Sequence, residues 1–248
     1  ETMAQHVFTI IRKYESIFLC FLPESELSRL NKNGQAIVSS VFMEVVVRSL
    51  ELAKLTDDAF NPLVQVKRLG YHSTYTALNK QSVQSDGTLY STDLSSITIA
   101  PKTNTITLES EQQLDFGGIL KGYLANLLAD EVKENYPTCT GCIINIGGDI
   151  ATRGYDEFHE PFIFFLYNPV TGEEIPVALK DKSLASSGTY ARVWKTKSGI
   201  NHHIVDSASQ RNPDQNLMTV SIVAQDGALT EALTKLFLTR GVELAVQV

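Results

Sequence analysis

Hydrophobic and polar positions recur with two periods along this chain, and the change of period divides it into elements. Residues 3–18 mix apolar and charged positions as an amphipathic helix does. The stretch LPESELSRLNKNG that follows is polar and reads as a loop. A second helix is predicted over SSVFMEVVVRSLELAKLT, with Ser39 or Ser40 as N-cap. It stops at TDDAFNPLV, where Asp-Asp and Asn-Pro mark a turn. The Ser/Thr/Gln-rich residues from about 72 to 95 read as loop or weak edge strand. SITIAPKTNTITLE alternates on both sides of a Pro-Lys-Thr-Asn turn, which predicts a hairpin. ILKGYLANLLADEVKENY is the clearest helix, with Ile119, Tyr123, Leu127 and Leu128 on one stripe. Short strands are predicted at CIINIGG, PFIFFLYNP, EEIPVALK and LMTVSIVAQ, the last running into a final helix, ALTEALTKLFLTRG. Strands and helices mix without strict βαβ alternation and no repeat is visible, so the predicted fold class is α+β.

Composition narrows the classes of function. The 248 residues, 43% of them hydrophobic, suit one domain over 1–248, or two intimately packed lobes, with a sizeable core. A net charge of −7 and the lack of any Lys/Arg run give no field for nucleic acid. No stretch approaches the roughly 20 apolar residues of a membrane span, and no leader is visible, so the residues alone read as cytoplasmic. The chain opens at Glu1 without an initiator Met, as a trimmed or processed fragment does. The odd cysteine count (Cys20, Cys139, Cys142) argues against a disulfide framework. CTGC at 139–142 has redox-pair spacing but follows a Pro-Thr turn, so local packing is the expected role rather than redox chemistry or zinc.

The candidate chemistry begins at DFGGILKGY, residues 115–123. Asp-Phe-Gly holds Mg²⁺ in protein kinases, but no Gly-rich loop, early-strand Lys, His-Arg-Asp loop or Walker A sequence accompanies it, so a kinase is excluded. The stretch still places a carboxylate, a glycine turn and a helix start together, with Lys121 in the first turn. That combination can hold a phosphate with a cation, or can equally be an Asp N-cap with a tight helix entry. NIGGDI ends a strand in a Gly-Gly turn before Asp149, and SSGTY reads as a small-residue loop. HHIVDS reads as strand-like, so His203 and Asp206 face opposite ways and serve different neighbours unless a bend joins them. Glu231, Thr234 and Lys235 share one face of the last helix, the spacing of an oxygen-ligand pair and equally of a surface Glu–Lys pair.

Together these stretches resemble one family across nearly the whole chain, the FAD:protein FMN transferases or ApbE family. PESELSRLN is similar to its S-[DE]-L-S-x-L-N segment, TDDAFNPLV to T-D-G-A-F-D-P-x-V, and LDFGGILKGY to L-D-x-G-[GA]-I-x-K-G-Y. INIGGDI, SSGTY, HHIVD and AQDGALTEALTKLFLTRG follow in the family's order. The resemblance implies an ApbE-like α+β fold, mixed or antiparallel sheets flanked by helices with a cofactor cleft between lobes. It implies FAD as substrate, an acceptor protein whose Thr or Ser hydroxyl takes the FMN half, release of AMP, and Mg²⁺ on the diphosphate. It implies His203 as general base, and FAD contacts at Phe21, Ala59, Phe60, Asn61, Asp115, Lys121 and Ile204. It implies metal ligation by the Gly118 carbonyl and Glu231, with Lys235 at a third ligand position. Many relatives are envelope lipoproteins and others are cytoplasmic.

The sequence departs from the pattern mainly at the metal. Glu231 replaces the family Asp, and Lys235 replaces a ligating Thr, although an ammonium cannot ligate Mg²⁺. Three outcomes follow in order: Thr234 supplies the hydroxyl, Lys235 replaces part of the metal's charge, or the metal site is lost. Asp58 stands for a family Gly, Asn61 for Asp, Thr189 for Asp and Ser207 for Pro, and the family's early Met-Gly-Thr strand is not present ahead of Glu1. Two further functions compete with transfer: an FAD pyrophosphatase, with water replacing the acceptor, and an FAD-binding protein that has lost catalysis.

Overall fold

The computed structural model describes residues 2–70, 90–196, 199–214 and 216–243. The loop or edge strand expected at 72–95 lies mostly outside these residues; 90–95 fall within them and lead into a helical turn at Leu94–Ser96.

The first layer is built from local signals. Helix α1 (Met3–Phe18) opens on a capping box between Thr2 and Gln5. Helix α2 (Glu26–Asn33) corrects the polar loop expected there. Ser25 accepts the Ser28 N–H, Glu26 lies at the positive end of the helix dipole, and Gly34 closes the helix in the left-handed conformation at φ 71. Only Leu27 and Leu30 are buried, so its apolar stripe is two residues long and easily overlooked. Helix α3 (Ser40–Leu55) starts at N-cap Ser39, whose hydroxyl accepts the Phe42 N–H. Strand β1 (Gln35–Ile37) joins the predicted hairpin, β2 (Thr98–Ala100) with β3 (Thr105–Thr107), in an antiparallel sheet of order β1-β3-β2. Their core includes Leu30, Phe42, Val46, Ile106 and Phe116. The Phe116 ring meets Phe18 and Phe42 edge-on, at 5.6 and 5.7 Å. The Phe of Asp-Phe-Gly is therefore an anchor that pins Asp115 beside the core.

The second layer is an antiparallel sheet carrying two helices. Its strands are β4 (Gly141–Ile146), β5 (Asp149–Gly154), β8 (Ser183–Gly188) and β11 (Thr219–Ala224), in the order β11-β8-β5-β4. Strand β8 corrects the loop expected at SSGTY as far as Gly188. Its small residues show no apolar alternation, and its strand identity comes from pairing with β5 and β11 on either side. Helices α4 (Leu120–Asn135) and α5 (Gly227–Arg240) lie on this sheet. The buried face of α4 is wider than the predicted stripe: Ala125 and Ala129 pack on Ala151 of β5, while Leu124 and Leu128 reach the first core. The outlying hairpins are β6 (Phe162–Tyr167) with β7 (Glu174–Leu179), and β9 (Val193–Thr196) with β10 (Gly199–His202). Strand β10 ends at His202, so His203 to Asp206 are not in a strand, another correction. Among the described residues no helix is long and apolar enough to cross a membrane.

Two turns prepare the site. Gly147 (φ 62) and Gly148 (φ 102) connect β4 to β5 as a two-residue hairpin loop, a geometry that glycine adopts without strain. After α3, Asp57 (φ 48) and Asp58 (φ 59) both lie in the left-handed region, and Asp57 raises the Asp58 pKa further after burial has done so. Asp58→Gly is expected to stabilise the fold by about 1 kcal/mol, read as a higher urea midpoint at unchanged slope. A lower midpoint would show that the Asp58 side chain makes a contact worth more than the strain.

Candidate active site

The first turn of α4, the middle of α5 and the β4–β5 turn converge on one point. Helix α4 begins after Ile119, which offers no side-chain cap. Its first-turn donors are met instead from α5: Glu231 Oε2 accepts the Gly122 N–H at 2.9 Å. Close approach makes this bond available, because Gly122 and Gly227 touch backbone to backbone where the helices cross. Glu231 Oε1 accepts from Lys121 at 2.7 Å, and Lys121 also donates to Asp149, the first residue after the glycine turn. Lys235, one turn along α5, holds its Nζ 3.7 Å from Glu231 Oε1. The result is a cluster of two ammoniums and two carboxylates at a helix N-terminus.

Burial sets the protonation of this cluster. Desolvation, then Glu231, raises the Asp149 pKa to about 6, against the lowering effect of Lys121. Desolvation works against the Glu231 anion too, but Lys235, Lys121 and the Gly122 N–H together hold its pKa below the usual range. Burial pulls Lys235 down, opposed by Glu231.

The cluster forms one wall of a cleft of about 1010 Å³, whose lining includes Phe21, Asn61, Asp115, Gly118, Lys121, Asp149, Arg192, His203, Glu231 and Lys235. That is at the upper end for a small-molecule site and suits a long, two-part ligand. His203 contributes a buried Nδ1 with no hydrogen-bond partner among the described residues. Burial first, then Arg192 and Lys235, push its pKa down to about 3, so the ring is neutral at pH 7. Asp206 does not support it: its carboxylate accepts the Ser209 N–H and lies 3.7 Å from Arg240.

The other predicted positions divide into cleft and scaffold. Phe21 stands at the rim, 56% exposed, and Ile204 lies buried next to His203. Ala59 and Phe60 line the cleft, and Phe60 packs on Ile119 and Ala232. Asn61 lines it too, while its side chain donates to Thr92 O and accepts from Leu63 N. Asp115 is not the N-cap of α4; its carboxylate accepts the Gly117 N–H, and burial raises its pKa. Arg192 was missed, and Asp149 was noted in the sequence but given no role. A position straight after a Gly-Gly turn signalled Asp149, whereas nothing in the pattern around Arg192 marks it.

The donor set does not fit a divalent cation. Both Glu231 oxygens already accept hydrogen bonds. The Thr234 hydroxyl, expected as a ligand, donates to its own helix at Glu231 O (2.7 Å), bonds Ser187 (2.7 Å) and is not part of the cleft lining. Lys235 brings a charge that repels a metal. Among the described residues no group of three or more His, Cys, Asp or Glu side chains is placed to hold a metal. Cys139 and Cys142 are free; the Cys139 thiol donates to Gly141 O and Cys142 packs against the sheet core, the local role expected of them.

The ApbE family model matches residues 1–248. The FAD:protein FMN transferase of Klebsiella pneumoniae (strain 342) is 25% identical over 254 residues, covering 98% of this chain and 77% of that protein. The protein of the same name from Escherichia coli (strain K12) is 22% identical, covering 94% and 70%. Among solved structures, the ApbE protein of Thermotoga maritima superposes with a TM-score of 0.82 at 21% identity, covering 98% of this chain and 81% of that one. The Pseudomonas stutzeri flavinyl transferase ApbE, apo form, gives 0.81 at 17%, covering 99% and 79%. With the family model spanning it from end to end, the chain belongs to the ApbE family and is a transferase enzyme.

Proposed function

We propose that residues 1–248 form one ApbE-like domain acting as an FAD:protein FMN transferase, moving the FMN half of FAD to a Thr or Ser hydroxyl of an acceptor protein. The observation that carries this reading is the imidazole of His203, whose buried Nδ1 has no partner among the described residues, sharing a cleft with an ammonium–carboxylate cluster at a helix N-terminus. A phosphoryl group needs positive charge and free donors, and an attacking hydroxyl needs a proton acceptor. The relatives bearing this name support the same assignment.

The step balances as follows. The acceptor hydroxyl oxygen bonds to the FMN phosphorus as the bridging P–O bond breaks, and the bridging electron pair leaves with AMP. The hydroxyl proton passes to His203. An imidazole whose pKa is held near 3 is free of protons but weakly basic, and the arriving diphosphate offsets Arg192 and Lys235 and raises its basicity. Lys121 sets positive charge beside the phosphates. Asp115, Phe21, Ala59, Phe60, Asn61 and Ile204 shape the remaining FAD contacts, with Phe21 able to cover a ring at the mouth.

Incubating the chain with FAD and an acceptor domain carrying a Thr in a flavinylation sequence tests the proposal. Flavin fluorescence on the acceptor in a denaturing gel is the expected result. AMP and free FMN without labelled acceptor would make it a pyrophosphatase, and intact bound FAD would make it a binding protein.

A further inference from the structure

We propose that this chain acts without a bound divalent ion, with the Lys235 ammonium placed where a metal would sit and binding, alongside Lys121, the diphosphate of FAD. The inference rests on the proposed transferase reading for the identity of its ligand.

Four observations carry it. First, the carboxylate that would ligate a metal is already in use: Glu231 Oε1 lies 2.7 Å from Lys121 Nζ and 3.7 Å from Lys235 Nζ, and Oε2 holds the Gly122 N–H at 2.9 Å. A divalent ion on Oε1 would have two ammoniums as neighbours. Second, the hydroxyl three residues on from Glu231, that of Thr234, is turned into the helix and onto Ser187. Third, the two lysines differ in what they hold. Lys121 is bound between Asp149 and Glu231, whereas Lys235 has its acidic neighbour at 3.7 Å, longer than a hydrogen bond, which leaves its donors for a ligand. Fourth, the lysine stem runs past the turn that opens α4: Lys235 Cε lies at ordinary contact distance, 3.7 Å, from where a Cβ on Gly118 would stand.

An ammonium can do the part of a metal's work that this transfer requires. It neutralises charge on non-bridging oxygens and donates hydrogen bonds to the leaving phosphate, which suits a loose transition state with charge spread over those oxygens. Before FAD arrives, Lys121 and Lys235 balance Glu231 and Asp149, so the diphosphate enters a site whose cations are already in place and need not be recruited from solution.

The test needs no variant to begin. FAD affinity, followed by flavin fluorescence, is measured on the purified chain in EDTA and in Mg²⁺, and Mn²⁺ binding is read by electron paramagnetic resonance. The expected result is an affinity that agrees within about twofold in the two buffers and a spectrum of free Mn²⁺, since a lost charged hydrogen bond would cost about tenfold or more. Lys235→Met is expected to weaken FAD binding about tenfold or more in both buffers, and Lys235→Thr to weaken it in EDTA but recover in Mg²⁺ with Mn²⁺ now bound. Affinity of the unaltered chain that collapses in EDTA and returns with Mg²⁺, stoichiometric Mn²⁺ on that chain, or an unweakened Lys235→Met would each overturn the inference. Metal-dependent binding with a labelled acceptor would sink this inference and spare the transferase reading. Metal-independent FAD binding with no labelled acceptor and no AMP would do the reverse. No FAD binding in either buffer would end both.

Discussion

Replacing His203 by alanine is expected to lower FMN transfer about 10²–10⁴-fold while FAD still binds, the usual range for loss of a positioned general base. Its Nδ1 is buried and pairs with nothing among the described residues, so the fold gives it no internal task that would explain its burial. The charged groups that would hold the diphosphate lie on α4, α5 and the β4–β5 turn and do not depend on the ring. Unchanged transfer in His203→Ala would remove the imidazole from the mechanism.

The same residue makes a second, independent measurement available. In the unfolded chain a histidine titrates near 6.5, and in the fold His203 is held down to about 3. Between these values the unfolded state binds the extra proton, so this contribution to stability is fully present above pH 6.5 and is lost as pH falls toward 3. Asp149 acts in the opposite sense: with its pKa raised from 3.8 to about 6, the folded state binds the extra proton between those values, and stability from this group falls as pH rises through them. Comparing His203→Gln with the unaltered chain cancels Asp149. The variant is expected to lose less stability on acidification from pH 7 to pH 4, followed by urea denaturation. Parallel curves would mean the ring is not buried neutral.

Gly122→Ala is expected to destabilise the fold by at least about 3 kcal/mol, at the upper end for overpacking. A Cβ there would lie 2.2 Å from the Gly227 carbonyl oxygen and 2.7 Å from its carbon, both backbone atoms that cannot rotate away. The reciprocal change, Gly227→Ala, meets the Gly122 oxygen at 2.1 Å and is expected to cost as much. Separating the helices would also lengthen the Gly122–Glu231 bond and loosen Lys121, so residual folded protein is expected to bind FAD more weakly. Gly172→Ala is the control: its φ of +75 imposes strain, but a Cβ there meets nothing within 4 Å, so a cost of only about 1 kcal/mol is expected from urea midpoints. Equal losses at Gly122 and Gly172 would mean that the helix crossing is not tightly packed.

Elements with complete local signals were legible from the residues. Helices α1, α3, α4 and α5 show period and length together, and the Gly147-Gly148 turn shows its residue type. Strands such as β8 did not, because Ser183, Ser186 and Ser187 acquire strand geometry only from the partners on each side. Helix α2 carried its caps at Ser25 and Gly34 in plain view, but an apolar stripe of two leucines did not compete with the polar residues around it.

For the site, the residues alone determined the letters and their order: a carboxylate and two glycines before a helix, a lysine in its first turn, a histidine, and a Glu and Lys one turn apart near the end. Tertiary structure decided which of those groups remain available. Glu231 and Gly122, 109 positions apart, become bonded because two glycines let α4 and α5 meet, and that bond takes an oxygen a metal would need. Thr234 loses its hydroxyl to its own helix and to Ser187, while Lys235 keeps an ammonium and His203 a bare ring nitrogen for the cleft. Spacing along a chain states which groups can share a face, but hydrogen-bond commitments and desolvation act through space, between residues that have no neighbourhood until the chain has folded.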